Sequence, residues 1–231
     1  MSKKDDLRKQ RANTVINNIS KKQEKQLAKA IARVVDALKQ KFPGIELEYE
    51  AQWLLQDVVD SLREHFPEVE FHYYHSSSSM RPDGGILSLR DKKGGLRPIL
   101  IAEKKNQGTN DLRELEGKPK QAKGNAIERL GKNVIGFRTA LLHEAIFPFV
   151  CFGDGCDFAD DSSIIDRVVT IAMFGKLNEI YLHVEDGRFN RGSFFFKVEQ
   201  WDEEEMFKIS LEIATNSVFY YFSKYGEDSF K

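Results

Sequence analysis

Apolar residues recur along this chain with two different periods, and the change from one to the other marks its organisation. From Lys21 to Lys41, Leu27, Ile31, Val34, Val35 and Leu38 share one helical face, and Pro43-Gly44 ends the pattern. A second helix is predicted over Glu50–Phe66, with Leu54, Leu55, Val58, Val59 and Leu62 together and Pro67 after them. The period then falls to two. Val69, Phe71 and Tyr73 alternate as a strand, followed by the serine run Ser76–Ser79. Gly85–Asp91 and Arg97–Lys105 read as two strands of a hairpin that turns through Lys92-Lys93-Gly94-Gly95. Asn106–Lys123 is polar and irregular. Beyond it the pattern predicts a helix over Asn125–Ala145, a buried strand over Phe147–Phe152 and a helix over Ser163–Phe174. Strands over Ile180–Val184 and Ser193–Val198 follow, and a long amphipathic helix over Glu203–Lys224 closes the chain. Helices and strands interleaved around a central hairpin place the fold in the α/β class, with a mixed sheet flanked by helices.

A length of 231 residues, 41% hydrophobic with 17 Phe, suits a single domain with a real core. Met1–Ser20 is polar and charged and is expected to form a loosely ordered basic arm. No apolar h-region opens the chain, and no stretch approaches the roughly 18 uncharged residues of a membrane span, so a soluble, cytoplasmic protein is expected. The two cysteines, Cys151 and Cys156, make neither a disulfide scaffold nor a zinc cluster; Cys151 sits in the apolar run Phe147–Phe152 as a small core residue. The net charge of −1 conceals strong segregation. Residues 1–41 carry +8, 42–80 carry −7, 81–133 carry +6 and 144–231 carry −9. Positive charge gathered into an arm and a central block is what phosphate contact requires, although a solvated helix face would also account for the arm.

The central block also holds candidate chemistry, in Pro82-Asp83-Gly84-Gly85 and Ala102-Glu103-Lys104-Lys105. On a strand, Glu103 and Lys105 point to the same face. If Lys92 pairs with Gly95 across the turn, paired residue numbers sum to 187 and Asp83 falls opposite residue 104; a one-residue bulge would shift this by one. Two carboxylates converging at a strand end form a hard-oxygen site suited to Mg²⁺, with a lysine one step along to hold water or neutralise a phosphate. The apolar run Ile99–Ala102 suits a buried strand whose end opens into such a site. An ordinary hairpin with surface ion pairs would show the same residues in a chain that is 31% charged.

A third block, Gly124-Asn125-Ala126-Ile127-Glu128-Arg129 with Lys132-Asn133, reads in two ways. Asn125 with Glu128 three residues later is a capping box opening a helix. The same helix start directed at a major groove would bring Asn to adenine and Arg to purine acceptors.

These three blocks, Ser78–Gly85, Ala102–Gly108 and Gly124–Asn133 continuing through Phe147-Pro148, resemble the EcoRI-like type II restriction endonucleases. These belong to the PD-(D/E)xK nuclease superfamily, and there is a further likeness to its MunI-type members. The resemblance covers about Ser76–Phe158 convincingly and fades on either side. It implies a restriction-endonuclease-like fold that cleaves double-stranded DNA as a homodimer at a palindrome centred on AATT, leaving 5′-AATT overhangs. A cognate DNA methyltransferase would then be the functional partner. It further implies Asp83 and Glu103 as Mg²⁺ ligands, aided by the main-chain carbonyl of Lys104, with Lys105 as the catalytic lysine. Asn125, Ala126 and Arg129 become base readers, Gly124, Glu128 and Arg167 support recognition, and Arg81 and Lys132 meet phosphates.

The chain departs from the family just before Gly124. Lys120-Gln121-Ala122-Lys123 stands where GAATTC-reading members carry an apolar stretch, whereas CAATTG-reading members have a basic residue there. Lys123 could donate to an outer guanine or meet a phosphate, which leaves GAATTC, CAATTG and RAATTY all open. Three rivals also remain at this point: a nuclease of the superfamily that does not read sequence, a DNA-binding protein without cleavage, and an acidic interaction module.

Overall fold

The computed structural model describes residues 15–106, 117–119, 124–155, 158 and 191–231. Its centre is a five-stranded sheet in the order β1 (Glu46–Glu50), β4 (Ile86–Arg90), β5 (Leu96–Asn106), β6 (Phe147–Asp154) and β7 (Arg191–Lys197). β4 runs antiparallel to both β1 and β5, while β6 and β7 continue parallel to β5, so the sheet is mixed as expected. A two-stranded ribbon, β2 (Trp53–Leu54) with β3 (Ser79–Met80), lies apart from it. Four α-helices are described: α1 (Val15–Lys41), α2 (Leu55–His65), α3 (Gly124–Ala140) and α4 (Glu203–Tyr225).

The sheet is covered on both faces. On one, α1 and α4 pack Leu27, Val34, Leu38, Met206, Val218 and Tyr221 against Leu87, Leu100, Ala102, Val150 and Phe152. On the other, Leu130, Val134 and Phe137 of α3 meet Ile86, Ile101, Phe149, Cys151 and Phe194. Burial on both sides explains why β6 opens as the unbroken apolar run Phe147–Phe152, with every residue of the strand buried. The closing helix begins at a capping box in which Asp202 accepts from the Glu205 amide and the Glu205 side chain accepts from the Asp202 amide.

The hairpin register departs from regularity in one place. Near the turn, Arg90↔Leu96, Leu89↔Arg97 and Ser88↔Pro98 sum to 186; past a bulge, Leu87↔Leu100 and Ile86↔Ile101 sum to 187. Ile99 is the extra residue, and it points with Leu100 into the α1/α4 core. The strand end therefore has the register expected from sequence, reached by a different route: a turn one residue longer, closed by Asp91 with Gly95, followed by one inserted residue.

Several boundaries differ from the sequence expectation. The second helix starts at Leu55, because Glu46–Glu50 pairs with β4 and Trp53–Leu54 pairs with β3. Residues 69–73 are not a strand. Among the described residues no strand pairs with them, and Val69 is 44% exposed. α3 stops at Ala140, where the Arg138 guanidinium donates to the Leu141 carbonyl just past the helix. α1 begins at Val15, inside the segment expected to be an unstructured arm. The predicted helix over 163–174 and strand over 180–184 lie outside the described residues, as do most of 106–123 and Cys156.

Candidate active site at the end of the central hairpin

Asp83 is carried on a tight turn before β4, closed by the Gly85 amide donating to the Pro82 carbonyl at 3.2 Å. The Gly84 amide then donates to the Ala102 carbonyl at 2.8 Å, which draws the turn against β5. That approach needs glycine. A Cβ on residue 84 would lie 2.8 Å from the Ala102 Cβ and 2.8 Å from Leu27 Cδ2.

The three residues expected to cluster do so. The Asp83 amide donates to Glu103 Oε2 at 3.1 Å, and the Lys104 amide donates to Asp83 Oδ2 at 3.3 Å. Lys105 Nζ lies 3.3 Å from Asp83 Oδ2 and also forms an ion pair with Glu103 Oε1. Side-chain exposure grades from 1% at Glu103 through 18% at Lys105 to 33% at Asp83, so the cluster opens towards solvent on the Asp83 side. Burial pushes the Glu103 carboxyl above its ordinary range, with the Lys105 ammonium resisting and the nearby Asp83 charge adding to the rise. Burial acts against the Lys105 charge as well, but Glu103 and Asp83 outweigh it and its pKa stands raised. An ammonium bridging two carboxylates shows that this pocket is organised around positive charge, and its donors are hard oxygens. The residues present fit a hard divalent cation. Among the described residues no cluster of three His, Cys, Asp or Glu side chains could hold a metal, so further ligands would have to come from main chain, water or phosphate.

The third block meets the same site. α3 begins at Gly124, and Asn133 in its third turn donates from Nδ2 to Glu103 Oε1 at 3.2 Å. With a rise of about 1.5 Å per residue, the backbone at 125 stands about 12 Å further along the helix axis. The side chains of Asn125, Ala126, Glu128 and Arg129 lie outside the described residues, as do Lys123 and Arg167 entirely. Lys132 and Arg81 are both exposed, the former one residue before Asn133 and the latter two before Asp83.

Two contacts had not been assigned from sequence. Asn133 was visible only as part of a motif, with no role. The second is an ion pair on the opposite face of β5, between Lys104 and Asp154. Burial lowers the Lys104 pKa against the opposing pull of Asp154. The only local sign of this pair was a lysine at a position whose neighbours in the strand, Ile99 to Ala102, are apolar. Cys151 is buried and free, as expected, and burial raises its thiol pKa.

A mixed sheet with helices on both faces, bearing Asp83 and Glu103-x-Lys105 at the end of its central hairpin, defines a restriction-endonuclease-like α/β protein. Residues 9–168 match the family model described as restriction endonuclease EcoRI. The chain is also 30% identical to the type II restriction enzyme RsrI of Cereibacter sphaeroides, over 89% of this chain and 87% of that protein. It is 25% identical to the type II restriction enzyme EcoRI of Escherichia coli, over 80% of each. The chain belongs to the EcoRI family of type II restriction endonucleases, which are site-specific deoxyribonucleases. Membership carries DNA as the binding partner, and enzymes of this type are in general metal-dependent. Among the described residues no helix is long and apolar enough to cross a membrane.

Proposed function

We propose that this chain hydrolyses double-stranded DNA with Mg²⁺ at a palindrome centred on AATT, cutting each strand on the 5′ side and leaving 5′-AATT ends. The observation that carries the reading is the mutual contact of Asp83, Glu103 and Lys105 at a strand end that is itself tied to α3 through Asn133. Asp83, Glu103 and the Lys104 carbonyl would hold the cation. When bound, it would lower the pKa of a water ligand and offset charge on the phosphorane-like transition state. Lys105, held between the two acids, is placed to orient the attacking water and to neutralise the scissile phosphate. The water oxygen would bond to phosphorus as the P–O3′ bond breaks, the water losing a proton to solvent or a neighbouring oxygen. The leaving O3′ would take one from solvent, to end as a 3′-hydroxyl beside a 5′-phosphate.

Asn125, Ala126 and Arg129 at the start of α3 are assigned to the adenines, with Gly124, Glu128 and Arg167 supporting them and Arg81 and Lys132 on phosphates. The likeness of the 124–133 block to the family supports this assignment. Lys123 bears on the outer base pair, for which G·C, C·G and RAATTY remain the candidates. A palindrome is matched by a two-fold homodimer, and a methyltransferase of the same specificity would protect the host.

Digestion of genomic DNA in Mg²⁺, followed by sequencing of the ends, tests the proposal and fixes the outer pair. Uniform 5′-AATT overhangs are expected. A smear, or ends lacking AATT, would refute the sequence assignment, and no Mg²⁺-dependent cutting would refute the enzyme.

A further inference from the structure

The strand that carries Glu103 and Lys105 towards α3 turns Lys104 to the other side, into the layer formed with α1 and α4. There its ammonium is buried and forms an ion pair with the fully buried carboxylate of Asp154 at the end of β6. Asp154 is the hub of a wider network. Its Oδ2 also accepts from Gln23 Nε2 of α1 at 3.0 Å and from the Trp201 amide at 3.2 Å. Its Oδ1 accepts from Asn106 Nδ2 at 2.7 Å. One carboxylate thus grips both neighbours of Lys105 along β5, and ties them to α1 and to the segment preceding α4.

Stability alone does not account for this arrangement. Desolvating two charges can outweigh their attraction, and a well-packed apolar pair in the same volume commonly does as well or better. The surrounding layer is apolar, with Ala102, Val150 and Phe152 beside the pair. What the pair adds is direction. The peptide of Lys104 donates its N–H to Asp83 Oδ2 on the site side, while its side chain is anchored on the far side. A strand end held at both faces cannot roll about its own axis, and such a roll would separate Glu103 from Asp83.

We propose that Lys104 and Asp154 are positioning residues for the cation site, an ion pair behind the sheet that fixes the orientation of the Lys104 peptide and through it the spacing of Asp83 and Glu103. This rests on the metal-dependent reading above. Partners of this kind that orient ligands without touching the metal commonly change metal affinity by about 10–100-fold when removed.

The test is the double variant Lys104→Met/Asp154→Asn, which removes both charges and leaves an amide oxygen to accept from Gln23 and the Trp201 amide, while Asn106 can turn its own amide to face the new NH2 group. Ca²⁺ is titrated calorimetrically into wild type and variant, each bound to an AATT-containing duplex, and metal-free affinity for the same duplex is measured alongside. The half-saturating Ca²⁺ concentration should rise by about tenfold or more, with metal-free DNA affinity within about twofold of wild type. A folded variant that takes up Ca²⁺ as wild type does would overturn the positioning role, since a pair that only stabilised would lower Tm and leave Ca²⁺ binding alone. Should the double variant not fold, the isosteric Asp154→Asn carries the same comparison, with weakened Ca²⁺ uptake expected and unchanged uptake decisive against the proposal. A wild-type complex that binds no Ca²⁺ would overturn the metal reading itself and this proposal with it.

Discussion

Asp83 and Glu103 are two carboxylates of unequal surroundings, and the inequality divides their work. Glu103 is buried, fixed by the Asp83 amide and by Asn133, whereas Asp83 is partly open and held by the Lys104 amide. Replacing either by Ala removes a proposed cation ligand, and loss of several kcal/mol of transition-state stabilisation corresponds to at least about a thousandfold in rate. Single-turnover cleavage of an AATT duplex should show that loss, with circular dichroism and Tm reporting a folded chain. Cutting at near wild-type rate by a folded Glu103→Ala variant would remove it from the site. The acids and Lys105 were legible in the sequence because alternation and a short turn are local rules. Lys104–Asp154 was not, because the partners are 50 residues apart on strands joined by a crossover, and no local pattern records which side chain a buried charge will meet.

Elements that look alike in sequence diverge when a neighbour is present for one and absent for the other. Glu46–Glu50 and residues 69–73 are both five-residue alternations of apolar and polar side chains. The first pairs with the edge of β4 and becomes a charged edge strand, while the second pairs with no strand among the described residues and is irregular. The hairpin that builds the site was predictable because its pairing is closed by its own turn, where Asp91 accepts from the Lys93 and Gly95 amides at 2.9 and 2.8 Å. The turn that carries Asp83 depends sterically on Gly84. Gly84→Ala should cost about 1–3 kcal/mol in urea unfolding, because the added methyl meets Ala102 and Leu27. It should also lower cleavage by more than the unfolded fraction explains, since the turn carrying Asp83 must move. A variant of wild-type stability and activity would show that the turn yields freely.

At the scale of the whole molecule, the end of the sheet away from the catalytic cluster is tied together by buried and half-buried charge. Glu144, just beyond α3, accepts from Tyr220 Oη at 3.0 Å and Lys224 Nζ at 2.6 Å, so the closing helix is pinned to the connection entering β6. Beside it His143 stacks on His65 with ring centroids 4.0 Å apart. Burial lowers the His143 pKa, and the neighbouring His65 lowers it further. The native state therefore resists a proton that the unfolded chain accepts at about pH 6.5. The resulting stability is present above that pH and is lost as pH falls through it. The urea midpoint should thus drop between pH 7.5 and 5.5, and His143→Gln should flatten the drop; an equal drop in both proteins would acquit His143. The layers of this molecule were foreseeable from periodicity, but this far-end network was not, because His143 and Glu144 fell inside a helix predicted to run to Ala145.

The inserted Ile99 gives the hairpin a tolerance to changes of length. Because it and Leu100 face the same side, deleting Ile99 would restore a plain ladder in which Glu103 still lies opposite residue 84 and still looks towards α3. Removing any residue between Ile101 and Glu103 would instead turn the acid to the wrong layer. Insertions and deletions accepted during divergence should accordingly gather at that one place, and related chains can keep the same pair of acids side by side while the count of residues between them differs by one.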